Sequence, residues 1–399
     1  MASACAMDEA IDSREILPQL CAAVVTGRLA SPRDLSLSLD GVNAVQWAEG
    51  QRVVPLLAAG LILADQAGVF PEAIDREQLR RRVRALARQV AHAEEELAFI
   101  SGLLASAGVR FLVCKGPALA RQAYPVPEWR VYDDLDLWVE SRDLVSALHA
   151  LEKGGYQRWQ SLGSRIAACA HRAGIEVAMR HPERGRLIEL AHGWRALGPT
   201  RPAARAIRDS AVSLEIAGTR IQAPAAVHAL LLACAHGAHH GWDRFIWLAD
   251  VAGLWLRLSR SERDTACRLA RHWHMETTLG LGLRFMTHDF GIPLEQGPLK
   301  LAEHARVRNL AHRVNRPGTT MMVTATPMIA RLRFEKDAQD SLWRRLRMML
   351  GWVFWPTLGD LQAVPLPAAL FPLYWVIRPV RLLRHPWRRD WRNLAEFSR

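Results

Sequence analysis

Lysine is nearly missing from this chain: of 52 basic residues only four, Lys115, Lys153, Lys300 and Lys336, are lysines. A lysine inside a motif is therefore conspicuous. Cysteine is sparse too. Cys5, Cys21, Cys114, Cys169, Cys234 and Cys267 are scattered over 399 residues without a CxxC pair, which excludes a disulfide framework and fits reduced thiols in a cytoplasmic protein. The first residues, MASACAMDEAIDSRE, lack the basic and apolar regions of a signal peptide. A spanning helix needs about 20 apolar residues. The nearest candidate, 363–377, has 15 residues and contains Pro365, Pro367 and Pro372. Repeats and low-complexity tracts are also missing. A soluble protein is expected.

What is present is a globular composition. Half of the residues are hydrophobic (50%), which excludes a wholly disordered chain, and the length is that of two or three domains. The net charge of +12 is unevenly placed. Residues 301–399 hold 17 Lys and Arg against 7 Asp and Glu, a surplus of +10, so the rest is nearly neutral and a nucleic-acid-coating role is not expected.

Helical periodicity runs through 45–63 and again from the acids after Pro71 to Gly108. The pattern changes at Val109. A short β-type run, VRFLVC, leads to Lys115-Gly116 and a helical segment, and DDLDLWVE then alternates with period two. Ser141 reads as the N-cap of a helix through Leu151, and β-type runs return at 174–179 and 186–191. From Pro224 onward the chain reads as helical. The expected organisation is a helical region over 1–108, an α/β core over 109–223 and a helical cap with a basic, Trp-rich tail over 224–399.

Asp134 and Asp136 carry the chemistry. On a strand they project to one face, while Leu135, Leu137 and Val139 bury the other. Paired carboxylates repel unless a cation shares them, and such oxygen ligands suit Mg²⁺. Lys115-Gly116, between a strand and a helix, offers a point charge and N–H groups to a phosphate.

The stretch FLVCKGPALARQAYPVPEWRVYDDLDLWVE resembles the uncharacterised nucleotidyltransferase family, whose core reads "lKGaala…lYp…R…DiDllV", within the polymerase-β-like nucleotidyltransferase superfamily. Lys115, Gly116, Leu119, Tyr124, Pro125, Arg130, Asp134, Asp136 and Val139 fall on its pattern, with KG where the wider superfamily has Gly-Ser. HGAHHGWDRFIWLADVAGL is similar to a second family segment at His236, His240, Trp242, Trp247 and Asp250, of which His236, His240, Trp242 and Asp250 are the candidate cleft positions. PTLGDLQAVPLPAALFPLYWVIRPVRLL is similar to its C-terminal signature, and the likeness spans 45–385.

The resemblance implies a mainly helical α/β protein with a small mixed sheet. It implies one or two Mg²⁺ ions on Asp134, Asp136 and a third carboxylate, with an NTP as co-substrate and pyrophosphate as product. The third acid is Glu189, in RLIELAHGW, or Glu176, in GIEVAMRH; Glu189 is preferred, although Ala191 is an extra residue against the family's "vElHw". Lys115 and Gly116 would hold phosphates, while Arg130 would either support them or pin the carboxylate strand. The acceptor would be a small molecule, peptide or protein, in keeping with the family's association with lasso-peptide and polysaccharide gene clusters. A nucleotide sensor without turnover and a surface-attached scaffold are the rival readings.

Two further signals carry less. His236 and His240 have zinc-protease spacing, but Gly237 stands where that motif needs its glutamate, so packing beside a cleft is preferred to metal binding. The Trp- and Arg-rich tail reads as folded packing, with contact to a membrane surface as the alternative.

Overall fold

The computed structural model describes residues 13–27, 41–66, 74–158, 164–193, 199–314 and 328–384. The chain forms two compact units that interleave along the sequence. One takes the described residues of Met1–His92, Pro117–Tyr132 and Ala226–Ala338; the other takes those of Ala93–Gly116, Asp133–Ala225 and Gln339–Arg399.

The first unit is helical. The single helix expected over 45–63 is two, Gly41–Gly50 and Val54–Gln66. The break has a local cause. Arg52 takes a positive φ of 59°, and Pro55, near the start of the second helix, has no N–H to continue the first. The turn directs buried Gln51 inward, where its Oε1 accepts the backbone N–H of Phe245 at 2.7 Å and satisfies the start of helix Phe245–Arg257. Trp47, Leu56, Phe245 and Trp255 fill this core. Gly253 lets two segments approach closely, since a Cβ there would lie 2.3 Å from the Ala123 carbonyl oxygen.

The second unit holds the sheet. Strands β1 (Phe111–Val113), β2 (Asp134–Val139), β3 (Gln157–Arg158), β4 (Val177–Arg180) and β5 (Leu187–His192) form a five-stranded mixed sheet in the order β1-β2-β5-β4-β3. β2 and β5 run parallel at its centre, and the other pairs are antiparallel. Leu135, Leu137, Ile188, Leu190 and Met179 bury one face. Two features differ from the sequence reading. Helix Leu144–Lys153 starts at Asp143, not Ser141; the Ser141 hydroxyl lies instead 3.4 Å from Nδ1 of His192. A hairpin of β6 (Val212–Ile216) and β7 (Thr219–Ala223) was not anticipated. Its turn, Ala217-Gly218, takes positive φ at both residues, and alanine there gives no turn signal.

The long helix Arg76–Ser106 begins where Asp75 Oδ1 accepts the N–H groups of Glu77 and Gln78 at 2.9 and 3.0 Å, a side-chain N-cap. It ends before Gly108, whose φ is +67°. Pro71, expected to open it, lies outside the described residues. The architecture is thus mainly helical with a small mixed sheet, as expected.

The tail belongs to the sheet-bearing unit. Leu361, Phe371 and Tyr374 pack with Cys169, Ala170 and Ala173 of helix Ser164–Ala173. Asp360, 1% exposed, joins a capping box with Thr357 and accepts from Arg378 at 2.8 Å and from Arg381. The Tyr374 hydroxyl donates to the Val364 carbonyl and accepts from the Leu366 N–H. The aspartate, tyrosine and Arg-Pro of the tail signature therefore each hold the tail's own fold.

Candidate active site

The carboxylates are arranged by sheet register. Asp134 and Asp136, two residues apart on β2, share a face of the sheet. The parallel pairing of β2 with β5 sets Glu189 directly beside Asp136, and the antiparallel pairing of β4 sets Ala178 on the other side of Glu189. Glu176 stands two residues before Ala178, just ahead of β4. It interacts electrostatically with Glu189 and Lys115. The same parity sends Leu135, Leu137, Ile188 and Leu190 to the buried face, which fixes how the acid-bearing strands sit.

Lys115 is the counter-charge. It follows β1, whose end is tied to β2 by the Cys114 N–H donating to the Asp136 carbonyl at 3.3 Å. Its Nζ lies 3.0 Å from Asp136 Oδ1. Burial alone would lower the affinity of this ammonium for its proton, but the attraction of Asp136, Glu176 and Asp134 outweighs it and raises the pKa. Gly116, at φ +51°, makes the turn into helix Gly116–Ala123, a conformation costly for any residue with a Cβ.

The electrostatics of Glu189 report the crowding. Its carboxyl is pushed from 4.5 to about 8, first by desolvation and then by the negative charges of Asp136, Asp134 and Glu176. Among the described residues no group of three or more His, Cys, Asp or Glu gathers closely enough to hold a metal ion as the side chains stand. By donor type and charge the acids do fit a hard divalent cation: they offer oxygen only, and Lys115 pairs with Asp136 among them.

The remaining expected residues belong to the helical unit, and most are interior. Arg130, 7% exposed, gives Nε and one terminal nitrogen to the two carboxylate oxygens of Asp250 at 2.8 and 3.0 Å. Asp250 also accepts from the Tyr124 hydroxyl at 2.8 Å. Trp242, marked as a cleft position, is fully buried; its ring sits where a Gly237 Cβ would come within 2.5 Å of it. Its size and apolarity make it core. Asp250 is likewise enclosed by its partners and not presented to solvent. His236 and His240 pack on Trp247, with ring centroids 5.4 and 4.8 Å away. Arg331 donates toward Nδ1 of His240 at 3.2 Å, and a cation in that place opposes a metal. Trp194, which completes the family-like segment after Glu189, lies outside the described residues.

The buried Arg130–Asp250–Tyr124 cluster was the feature least visible beforehand. Its members recur in two motif segments, and that was the available signal, but the pairing spans 120 residues and leaves no local mark.

One of three comparisons with known proteins gives the family. No protein of curated function matches the chain. A solved structure, an antigenic nucleotidyltransferase-like protein from Paracoccidioides brasiliensis, shares 16% identity over 46% of this chain and 88% of its own, with a TM-score of 0.31; a likeness that slight carries no argument. The profile described as "Uncharacterised nucleotidyltransferase" matches residues 39–291, well over half of the 399, and takes in the Lys115-Gly116 turn, the aspartate pair and the Arg130–Asp250 cluster. The chain belongs to this uncharacterised nucleotidyltransferase family.

Proposed function

We propose that the protein transfers a nucleoside monophosphate from an NTP to an acceptor hydroxyl and releases pyrophosphate. What carries the reading is the acid-bearing face, with Asp136 and Glu189 in register across β2 and β5 and Lys115 Nζ 3.0 Å from Asp136. Asp134, Asp136 and Glu189 would hold Mg²⁺. That ion, when bound, supplies Lewis-acid charge to the phosphates and lowers the pKa of an oxygen bound to it.

The chain's own residues do the rest. Lys115 and the N–H groups near Gly116 bind the polyphosphate and offset the charge that builds as pyrophosphate departs. Glu189, ionised once a cation shares the site with Asp134 and Asp136, would accept the proton of the acceptor hydroxyl. Arg130 takes a structural part, holding Tyr124 and Asp250 together within the helical unit. The acceptor is a small molecule, peptide or protein, and a tailoring step in lasso-peptide or polysaccharide assembly fits the family's gene context.

The test is pyrophosphate release by the purified protein with each NTP, Mg²⁺ and candidate acceptors, beside Asp134→Asn/Asp136→Asn. Release by wild type and its loss in the double variant supports transfer. Nucleotide binding without release in either protein would instead make it a sensor.

A further inference from the structure

The tail carries an apolar surface that the nucleotidyl-transfer reading does not use. Helix Leu342–Phe354 has no buried residue. Leu342, Trp343, Leu346, Leu350, Val353 and Phe354 follow helical spacing and all point outward, with Leu342 79% and Trp343 68% exposed. Its opposite side is the one held by the protein. Trp355, just after it, donates from Nε1 to the Ala173 carbonyl at 2.8 Å, and Arg344 reaches the Pro199 carbonyl. An amphipathic helix normally does the reverse and buries its apolar stripe.

The neighbouring helix Tyr374–Arg384 repeats the arrangement. Tyr374 is buried, whereas Leu373, Val376, Val380 and Leu383 stand three or four residues apart and are exposed, Leu383 at 84%. The two helices are joined by Arg378 Nε donating to the Trp352 carbonyl at 3.2 Å. The sequence reading expected this tail to pack. Its inner residues do, and its outer apolar residues do not. Neighbouring apolar faces of this kind mark an interaction site.

The charges select the partner. Between 341 and 384 there are six arginines and one acid. That acid, Asp360, is 1% exposed and enclosed by Arg378 and Arg381. Every outward charge of the segment is therefore positive, with Arg347 and Arg384 exposed among the apolar side chains. A second copy pairing through this face would bring like charges together. No described helix is long and apolar enough to cross a membrane. A surface of exposed Leu, Val and Trp rimmed by arginine suits the headgroup–acyl boundary of a bilayer, where apolar residues insert and cations meet anionic lipid.

We propose that helices Leu342–Phe354 and Tyr374–Arg384 seat the protein on an anionic membrane surface. The full chain would be sedimented with vesicles of phosphatidylcholine alone and with vesicles that also contain phosphatidylglycerol. The comparison is Leu346→Gln/Leu350→Gln/Val376→Gln/Leu383→Gln, which keeps every arginine and alters only exposed positions. Wild type should bind the anionic vesicles, weaken with salt and ignore the neutral ones. The variant should lose binding by roughly tenfold or more with an unchanged circular dichroism spectrum and melting temperature. Equal binding by wild type and variant would reduce the effect to generic charge attraction and overturn the proposal. So would absence of binding, or a wild-type dimer that the variant abolishes, which would make the face a contact between copies.

Discussion

Replacing Glu189 by glutamine should stabilise the protein, and increasingly so as pH rises in the absence of divalent metal. The reasoning follows from the neighbours of Glu189. Its carboxyl binds protons more tightly in the fold, at about 8 instead of 4.5, because desolvation and the charges of Asp136, Asp134 and Glu176 oppose ionisation. The folded state then holds more protons than the unfolded one between those two values, so wild-type stability falls with rising pH across that window. At about 1.4 kcal/mol per pH unit, full ionisation costs roughly 5 kcal/mol. Glu189 is only half-buried, and water screens part of this, leaving about 2–3 kcal/mol. The assay is denaturant or thermal unfolding of wild type and Glu189→Gln in EDTA from pH 5 to 9 (about the span of the window). The two should match near the acid end and separate steadily up to pH ~8, with the variant the more stable. Added Mg²⁺ should narrow the gap by stabilising wild type more. Parallel pH curves in EDTA would show that the acids are not crowded as described, and would refute the reasoning.

Three other outcomes are expected. Lys115→Met should weaken NTP binding by about 10–100-fold, the worth of a hydrogen bond to a charged group, as read by calorimetric titration. Asp250→Asn should cost about 3–5 kcal/mol in unfolding experiments, because buried Arg130 then loses the carboxylate that takes two of its hydrogen bonds; Arg130→Met/Asp250→Leu should recover much of the loss. Gly253→Ala should cost about 1–3 kcal/mol, since its new Cβ would meet the Ala123 carbonyl at 2.3 Å, and thermal melting would show it.

Local pattern made part of this protein readable in advance. Period-two alternation places Asp134 and Asp136 on one face whatever lies beside the strand, because a β-strand alternates its side chains by geometry alone. The Lys115-Gly116 turn was legible for a similar reason, since glycine supplies a positive φ that other residues resist. The breaks were harder. The interruption at Arg52 serves the start of a helix nearly two hundred residues later, and apolar periodicity on both sides conceals it.

The sequence by itself determined the alternation from helical to α/β to helical pattern, the acid pair and the concentration of positive charge in the last hundred residues, all of which depend on near neighbours. Tertiary structure decided the rest. Strand register set Glu189 beside Asp136, and backbone pairing across β2 and β5 is not written in either strand. A pairing across 120 residues turned Arg130 inward to Asp250. The fold also decided which side of the tail faces outward: an amphipathic helix reveals that it has two faces, and only its neighbours settle which one is buried.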